Sequence, residues 1–330
     1  MKEETIAIVD WYRSHGRDLP WRHTHDPYAI WLSEIILQQT RIAQGLAYWE
    51  RFMTRWPRVE DLAAATEDEV LREWQGLGYY SRARHLHEAA RQIVALGHFP
   101  DTCQKLRKLS GVGDYTAAAV ASFAFGESVA AVDGNFYRVL SRCFAIDTPI
   151  DSVVGKKQFR ELADKMVKCT DASADFNSGV MDLGATVCTP SMPACEGCPL
   201  REYCRARKTG SVEQYPVKSK KTAVKTRRLL YVYVRCQGYT AIRRRGAGDI
   251  WQGLWEPVEA TESLTHGAQL IVHDVRHVLT HRILLADLWL LDTEERPALP
   301  DGYIWVREEE LGHYALPRLV EKLFGSLPEH

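Results

Sequence analysis

Hydrophobic residues recur at helical spacing through the first half of the chain. Ile6, Val9, Trp11 and Tyr12 begin the pattern, and Leu19-Pro20-Trp21 interrupts it. Further segments with this periodicity predict helices over 27–53, 61–74, 81–96, 106–109, 116–125, 153–167 and 176–186. Turns are predicted around residues 76–78 and 110–113, where glycines cluster. The pattern therefore predicts a mainly helical N-terminal region.

After residue 228 the hydrophobic positions alternate as they do in strands. Strands are predicted over 229–234, 239–243, 283–291 and 303–306, and a closing helix over 320–324. We therefore expect a helical domain over residues 1–205, a basic linker over 206–228, and a smaller α+β domain over 229–330.

Composition narrows the class of protein. The 330 residues are 45% hydrophobic and 26% charged, which is ordinary for a globular protein and argues against disorder. No apolar run approaches the roughly 18–20 residues that a membrane helix needs, and the charged N-terminus is unlike a signal peptide. A reducing, cytoplasmic location is expected, so the eight cysteines are interpreted as metal ligands or unpaired thiols.

The charge is unevenly distributed. Residues 205–228 contain nine Lys or Arg and one acidic residue, whereas the whole chain has a net charge of −1. This basic segment is either a nucleic-acid contact or a solvated linker.

Four cysteines lie within 17 residues, in the spacing C-x6-C-x2-C-x5-C. They are Cys188, Cys195, Cys198 and Cys204. Structural zinc sites commonly use two C-x2-C pairs that lie far apart in the sequence. One short pair with two longer spacers fits an iron–sulfur loop better.

Two further features carry candidate chemistry. The turn Ser110-Gly111-Val112-Gly113 leads into a helix, where backbone amides can bind a phosphate, although a plain tight turn has the same residues. Asp133 follows the apolar run Val129–Val132, where an acid either caps a helix or works chemically.

Glu34 lies in an apolar helix. Its neighbours at helical spacing are Ile30, Trp31 and Leu37, which would desolvate the carboxyl group and raise its pKa, as suits a general acid. The alternative is a surface ion pair with Arg22 or Arg41.

The hairpin, Asp133 and the four-cysteine loop together resemble the helix-hairpin-helix glycosylase superfamily, which includes endonuclease III. Other stretches resemble the MutY-type adenine DNA glycosylases more narrowly. These are Leu19-Pro20-Trp21-Arg22, Trp31-Leu32-Ser33-Glu34, Leu37-Gln38-Gln39-Thr40, Gly76-Leu77-Gly78-Tyr79-Tyr80 and Met181-Asp182-Leu183-Gly184-Ala185. The resemblance is strong over residues 5–210 and weaker in the C-terminal region, where it rests on 251–256 and 276–281.

The resemblance implies that the chain excises adenine opposite 8-oxoguanine or guanine in double-stranded DNA. By resemblance, Glu34 protonates adenine N7, Asp133 stays ionised beside the sugar cation, and Asn135 and Tyr115 hold the sugar and water. Bifunctional relatives have lysine at the position of Tyr115, so the phenol implies a monofunctional enzyme. The positions matched to DNA or base binding are Trp21, Arg22, Leu37, Gln39, Tyr79, Gly111, Val112 and Gly113.

The C-terminal region resembles a Nudix domain. It lacks the clustered glutamates that bind catalytic metal in that fold, so we expect this domain to bind its ligand without hydrolysing it. Leu279, Thr280 and His281 stand where the family usually has the Phe-Ser-His that inspects 8-oxoguanine; an ordinary hairpin is the alternative. Ser178 replaces a Glu or Gln of the adenine pocket in many relatives. The resemblance further implies a [4Fe–4S] cluster bound by the four cysteines. It also implies a monomer without membrane contact, located in the bacterial cytoplasm and associated with the nucleoid through DNA binding.

Two other functions stay open at this point. A bifunctional pyrimidine glycosylase and lyase would share the fold, but Tyr115 and the extra domain oppose it. An iron–sulfur protein that binds DNA without catalysis would not need both Glu34 and Asp133.

Overall fold

The computed structural model describes residues 1–219, 225–279 and 281–328. The helices in chain order are α1 Lys2–His15, α2 Pro27–Ile36, α3 Ile42–Arg55, α4 Val59–Ala64, α5 Glu67–Glu73, α6 Ser81–Leu96, α7 Cys103–Leu106, α8 Asp114–Phe125, α9 Gly134–Phe144, α10 Val153–Val167, α11 Ser173–Thr186, α12 Arg205–Lys208, α13 Glu262–Thr265 and α14 Arg318–Phe324. The strands are β1 Lys225–Cys236, β2 Tyr239–Arg244, β3 Trp255–Glu259, β4 Gln269–Leu279, β5 Arg282–Asp292 and β6 Tyr303–Arg307. Within the described ranges, no helix is both long and apolar enough to cross a membrane.

The chain forms two compact units. Unit 1 comprises Met1–Trp49, Arg58–Glu60 and Glu88–Lys221, and unit 2 comprises Glu50–Pro57, Asp61–His87 and Thr222–His330. The predicted helical N-terminal region and mixed C-terminal region are both confirmed.

Helix α2 is the centre of unit 1. Asp26 caps it by accepting a hydrogen bond from the Tyr28 amide at 2.9 Å, and Pro27 occupies its first turn, where no amide donor is needed. Every residue from Tyr28 to Ile36 is buried, as expected for a helix that is apolar on all sides. The predicted single helix over 27–53 is wrong, because the chain breaks at Gln39, which has a φ of 56°, and then resumes as α3.

Helices α7 and α8 form the predicted hairpin. Gly111 has a φ of 69°, which a residue with a Cβ rarely adopts, and α8 begins after Gly113. Helix α9, which the sequence analysis did not predict, begins directly after Asp133. Similarly, the segment predicted as one helix over 61–74 divides at Thr66, which caps α5 in a capping box with Glu69.

Unit 2 contains a six-stranded sheet in the order β4-β5-β1-β3-β2-β6. Strands β1 and β5 are parallel, with Tyr231 opposite Leu288, and the other pairs are antiparallel. Tyr231 and Leu288 belong to a core on one face that includes Leu319 and Leu323 of α14. Strands β3 and β4 were not predicted from the sequence.

Strand β4 contains a bulge at Asp274, where φ is 53°. The Asp274 amide donates to Asp287 Oδ1 at 2.7 Å, and Arg228 forms ion pairs with both carboxylates. The guanidinium therefore compensates the charge of this acidic pair, and the bulge re-aims the strand that leads to Leu279.

Candidate active site

A cleft of about 870 Å³ lies within unit 1. Its walls come from the turn Pro20–Arg22, α2, the hairpin, α8, α9 and α11. The cleft brings together ten of the residues predicted from the sequence, namely Trp21, Arg22, Glu34, Leu37, Gln39, Gly111, Gly113, Tyr115, Asp133 and Asn135. Residues far apart in sequence thus share one concave surface, which is the usual form of an active site.

Glu34 lies in the last turns of α2 and is 8% exposed. The Tyr115 hydroxyl donates a hydrogen bond of 2.6 Å to Glu34 Oε2. Burial raises the Glu34 pKa to about 7, despite the Tyr115 hydrogen bond and the charge of Arg22, which both lower it; the charge of Asp133 raises it further. The alternative of a surface ion pair is wrong, because Glu34 is buried and the Arg22 guanidinium binds Asp182.

Asp133 is the N-cap of α9. Its Oδ1 accepts the Phe136 amide at 2.8 Å, and its Oδ2 accepts Asn135 Nδ2 at 2.7 Å. Burial raises the Asp133 pKa, and these two hydrogen bonds oppose the rise because they stabilise the anion. The two possibilities for Asp133 are therefore compatible: it caps a helix and faces the cleft.

Tyr115 is half-buried at the start of α8. Burial raises its pKa well above the ordinary value, and the charge of Glu34 adds to the rise. The hydroxyl therefore keeps its proton and serves as a neutral donor to the carboxyl group of Glu34.

Trp21 and Arg22 form one wall of the cleft. The Trp21 ring is buried and packs edge-on against Trp49, with 5.6 Å between ring centroids. Arg22 Nη1 and Nη2 donate to Asp182 at 2.6 and 2.8 Å. Ser178 also lines the cleft and is buried.

Asp182 was missed as a site residue by the sequence reasoning. The sequence named it only within the stretch Met181–Ala185, one of those that resemble the adenine DNA glycosylases. An acid within the apolar helix α11 was the available signal, but its partners Arg17 and Arg22 lie more than 150 positions earlier in the sequence.

The hairpin turn is held by its surroundings. Gln92 Oε1 accepts the Ser110 amide at 2.8 Å, and Val112 is buried, while Gly111 and Gly113 are exposed. Because these exposed glycines have no side chains, an anion can approach the backbone closely at the N-terminus of α8, where a helix favours negative charge.

The predicted contacts Tyr79, Leu279 and His281 lie in unit 2. Tyr79 is 46% exposed and has a φ of 47°, and the Arg82 guanidinium lies 5.7 Å from its ring centroid. Leu279 is partly buried and packs against the sheet core. His281 is exposed, and its carbonyl accepts a hydrogen bond from the Lys225 amide at 3.1 Å. Thr280 lies outside the described residues.

The four cysteines of the predicted cluster line one pocket. Sulfurs bound to a single zinc ion would lie about 3.8 Å apart, since Zn–S bonds are about 2.3 Å. Across the described residues, no three of these sulfurs lie within 4.8 Å of one another. A [4Fe–4S] cluster uses a separate iron for each thiolate and spreads the sulfurs farther, so the donor set fits it better than zinc.

Arg142 supplies positive charge beside this pocket. Its Nη1 donates to Cys188 Sγ at 3.4 Å and to the Thr189 carbonyl at 2.7 Å, and its Nη2 donates to the Pro190 carbonyl at 2.9 Å. The guanidinium is suited to stabilise thiolates, and it fixes the start of the cysteine loop.

Comparisons with known proteins agree with this geometry. Residues 32–168 match the family described as HhH-GPD superfamily base excision DNA repair protein, and residues 230–326 match the NUDIX domain family. An adenine DNA glycosylase of Buchnera aphidicola (Schizaphis graminum) is 33% identical over 75% of this chain and 72% of its own length. The chain belongs to the adenine DNA glycosylase family.

Other family members match a smaller share of their length. The human adenine DNA glycosylase is 44% identical over 63% of this chain but 40% of its own length, and the Mycobacterium tuberculosis protein is 40% identical over 67% of its own length. The chain thus spans about two fifths of the human relative. Among solved structures, a thermostable thymine-DNA glycosylase superposes with a TM-score of 0.58 and 33% identity, over 63% of this chain and 97% of that one.

Proposed function

We propose that this protein is a monofunctional DNA glycosylase that hydrolyses the N-glycosidic bond of adenine mispaired with 8-oxoguanine or guanine. The observation that carries the proposal is the pair of unlike carboxyl groups in one cleft. Glu34 is buried and has a pKa of about 7, and Asp133 accepts two hydrogen bonds at a helix N-terminus. Unlike carboxyl groups divide the labour of glycoside hydrolysis into an acid and an anion.

The acid role goes to Glu34. Adenine leaves poorly as an anion, so a proton must reach its ring nitrogen, by resemblance N7, as the bond to the sugar breaks. At neutral pH a buried carboxyl group with a pKa of about 7 is protonated in a large fraction of molecules. The hydroxyl of Tyr115 orients this carboxyl group by donating a hydrogen bond to Oε2.

The anion role goes to Asp133. The sugar develops positive charge in the transition state, and a carboxylate fixed beside it stabilises that charge without reorganising. Asn135 Nδ2 holds Asp133, and Arg138 Nη2 donates to Asn135 Oδ1 at 2.7 Å, so the carboxylate is held in one position. Water then attacks the sugar and leaves an abasic site.

DNA binding is assigned to the hairpin and to the loops that carry Gln39 and Tyr79. The hairpin amides suit a phosphate. Gln39 and Tyr79 both have left-handed backbone conformations, which are uncommon for residues with a side chain and cluster at functional sites. The base must leave the duplex to reach Glu34, and side chains of this kind can fill the space it vacates. We assign lesion reading to Leu279, Thr280 and His281.

We propose a [4Fe–4S] cluster held by Cys188, Cys195, Cys198 and Cys204. When bound, the cluster would cross-link the loop after α11 and order it. The hydrolysis needs no electron transfer, and the chemical groups of the cleft come from other residues. Arg142 and the loop carbonyls it binds would hold the cysteine loop in place.

One assay tests the proposal. Purified protein is mixed in excess with duplexes that contain A opposite 8-oxoguanine, A opposite G, A opposite T, or T opposite G, and base release is followed in a single turnover. We expect adenine release from the first two duplexes and strand cleavage after alkali treatment only. Thymine release from the fourth duplex would instead favour the activity named for the thymine-DNA glycosylase neighbour. Cleavage without alkali would favour a lyase.

A further inference from the structure

Asp182 is fully buried in α11 and holds two arginines. Its carboxylate accepts the Arg17 amide and Arg17 Nε, both at 2.9 Å, and a fork from Arg22 at 2.6 and 2.8 Å. Burial would raise the Asp182 pKa, but the hydrogen bonds from Arg22 and Arg17 outweigh burial and lower the pKa. Asp182 is therefore a buried anion at neutral pH.

Arg22 stands between Asp182 and the cleft. The guanidinium lines the cleft, lies 5.3 Å from the Tyr12 ring centroid, and its charge acts on Glu34. Two-point pairing with a carboxylate fixes a guanidinium in direction as well as position. The fork points at Asp182, whereas the hydrogen-bond partner of Glu34 is the Tyr115 hydroxyl.

We propose that Asp182 is a positioning residue that holds the Arg22 guanidinium away from Glu34, and so leaves Glu34 as a proton donor rather than an ion-pair partner. The inference rests on the proposed function, in which Glu34 is the acid. It explains why an arginine and a buried glutamic acid share a cleft without pairing. It also assigns a task to a carboxylate that does not itself face the reaction.

The charges around Glu34 set the direction of the effect. Tyr115 from α8 and Arg22 from the Pro20–Arg22 turn lower its pKa, and Asp133 at the start of α9 raises it. An opposite charge within about 4–6 Å lowers a carboxyl pKa by roughly 1–3 units. If Arg22 lost its anchor and turned to Glu34, the proton would leave Glu34 at neutral pH.

The test is Asp182→Asn, with single-turnover adenine release measured from pH 5 to pH 9. In the parent protein the rate falls as Glu34 loses its proton. We expect the midpoint of this falling limb to move down by about one pH unit or more, while the rate on the acid plateau changes by no more than a few fold. A lower rate at every pH with an unmoved midpoint would mean a merely structural role and would overturn the proposal.

Two variants separate positioning from folding. Arg22→Lys keeps the charge but loses the fork, so it should move the midpoint in the same direction without touching buried Asp182. Adding Arg22→Gln to Asp182→Asn removes the released charge and should return the midpoint to the parent value or above it. An unmoved midpoint in Arg22→Lys, or a double variant that stays shifted, contradicts the proposal.

Asp164→Asn is the matched control. Asp164 lies on α10, does not line the cleft and pairs with Arg160 at 3.2 Å, so the variant removes one arginine–aspartate pair from unit 1 and should leave the midpoint unchanged. Carbon-13 NMR of the Glu34 carboxyl group, assigned with Glu34→Gln, follows the same titration without activity. A parent protein that releases no adenine would refute the proposed function, whereas an unshifted Glu34 titration in Asp182→Asn would refute this inference.

Discussion

Replacing Glu34 with glutamine keeps the size of the side chain and removes its acidic proton. The amide oxygen can still accept the hydrogen bond that Tyr115 donates at 2.6 Å, so the cleft should keep its shape. What is lost is proton transfer to the leaving base. We expect Glu34→Gln to bind the mispaired duplex with near-parent affinity and to release adenine far more slowly.

The magnitude follows from the protonated fraction. With a pKa of about 7 in place of 4.5, about a quarter of Glu34 side chains hold the proton at pH 7.5, against about one in a thousand. Burial therefore enriches the acid form by roughly 200-fold. Removing a general acid costs about 10²–10⁴ in rate, and we expect a loss in that range.

The assay is single-turnover adenine release from a duplex with A opposite 8-oxoguanine, alongside duplex affinity. Above pH 7 the parent rate should fall about tenfold per pH unit, because only protonated Glu34 reacts. The residual rate of Glu34→Gln should lack this limb. Glu161→Gln, which removes an exposed carboxyl group from α10, is the matched control. A near-parent rate in Glu34→Gln, or an unchanged falling limb, would refute the assignment of the acid.

Three further outcomes are expected. Tyr115→Lys should introduce some strand nicking, because an amine can form a Schiff base with the sugar, and borohydride reduction of that Schiff base traps the protein on the DNA. Pairing of the amine with Glu34 will limit this activity. No trapping above the parent level would contradict the prediction. Purified protein should be yellow-brown with about four irons per chain, and Cys198→Ser should lower the folded yield more than the rate per folded molecule; stoichiometric zinc without visible absorbance would contradict the cluster. His281→Ala should narrow the preference for 8-oxoguanine over guanine by roughly 5- to 150-fold, as one base-edge contact is worth about 1–3 kcal/mol; an undiminished preference would assign lesion reading elsewhere.

The helices of the N-terminal region were largely predictable because their hydrophobic positions repeat at helical spacing. Ser81–Leu96 and Val153–Val167 have the predicted bounds. The break between α2 and α3 was not predictable in this way, since apolar residues continue on both sides of it. There the left-handed Gln39 redirects the chain.

Other elements were hidden by local exceptions to the pattern. Helix α9 was not predicted, although Asp133 was considered as a helix cap and Phe136, Val139, Leu140 and Cys143 have helical spacing. Strand β4 was missed because its bulge at Asp274 breaks the alternation. Strand β3 contains Pro257 and the buried Glu256, and neither residue type favours a strand.

Candidate site residues were predictable where one short segment carries the signal. Glu34 stood out because its helical neighbours are apolar, and the cysteines because of their spacing. Asp182 has no such local signal, since its role depends on Arg17 and Arg22, which lie more than 150 positions earlier in the sequence. Periodicity shows that a position is buried, but it does not show which distant side chain a buried charge will bind.

The difference between the two carboxyl groups follows from the helical positions they occupy. Glu34 lies inside α2, where helical hydrogen bonds already use the backbone amides, so it meets a neutral hydroxyl and apolar side chains. Asp133 precedes α9, where the first amides have no helical partner, and the Phe136 amide and Asn135 both donate to it. Burial favours the protonated form of each group, but only at Asp133 does a helix N-terminus favour the anion as well. In the proposed mechanism, the same functional group thereby serves as the proton donor at Glu34 and as the anion at Asp133.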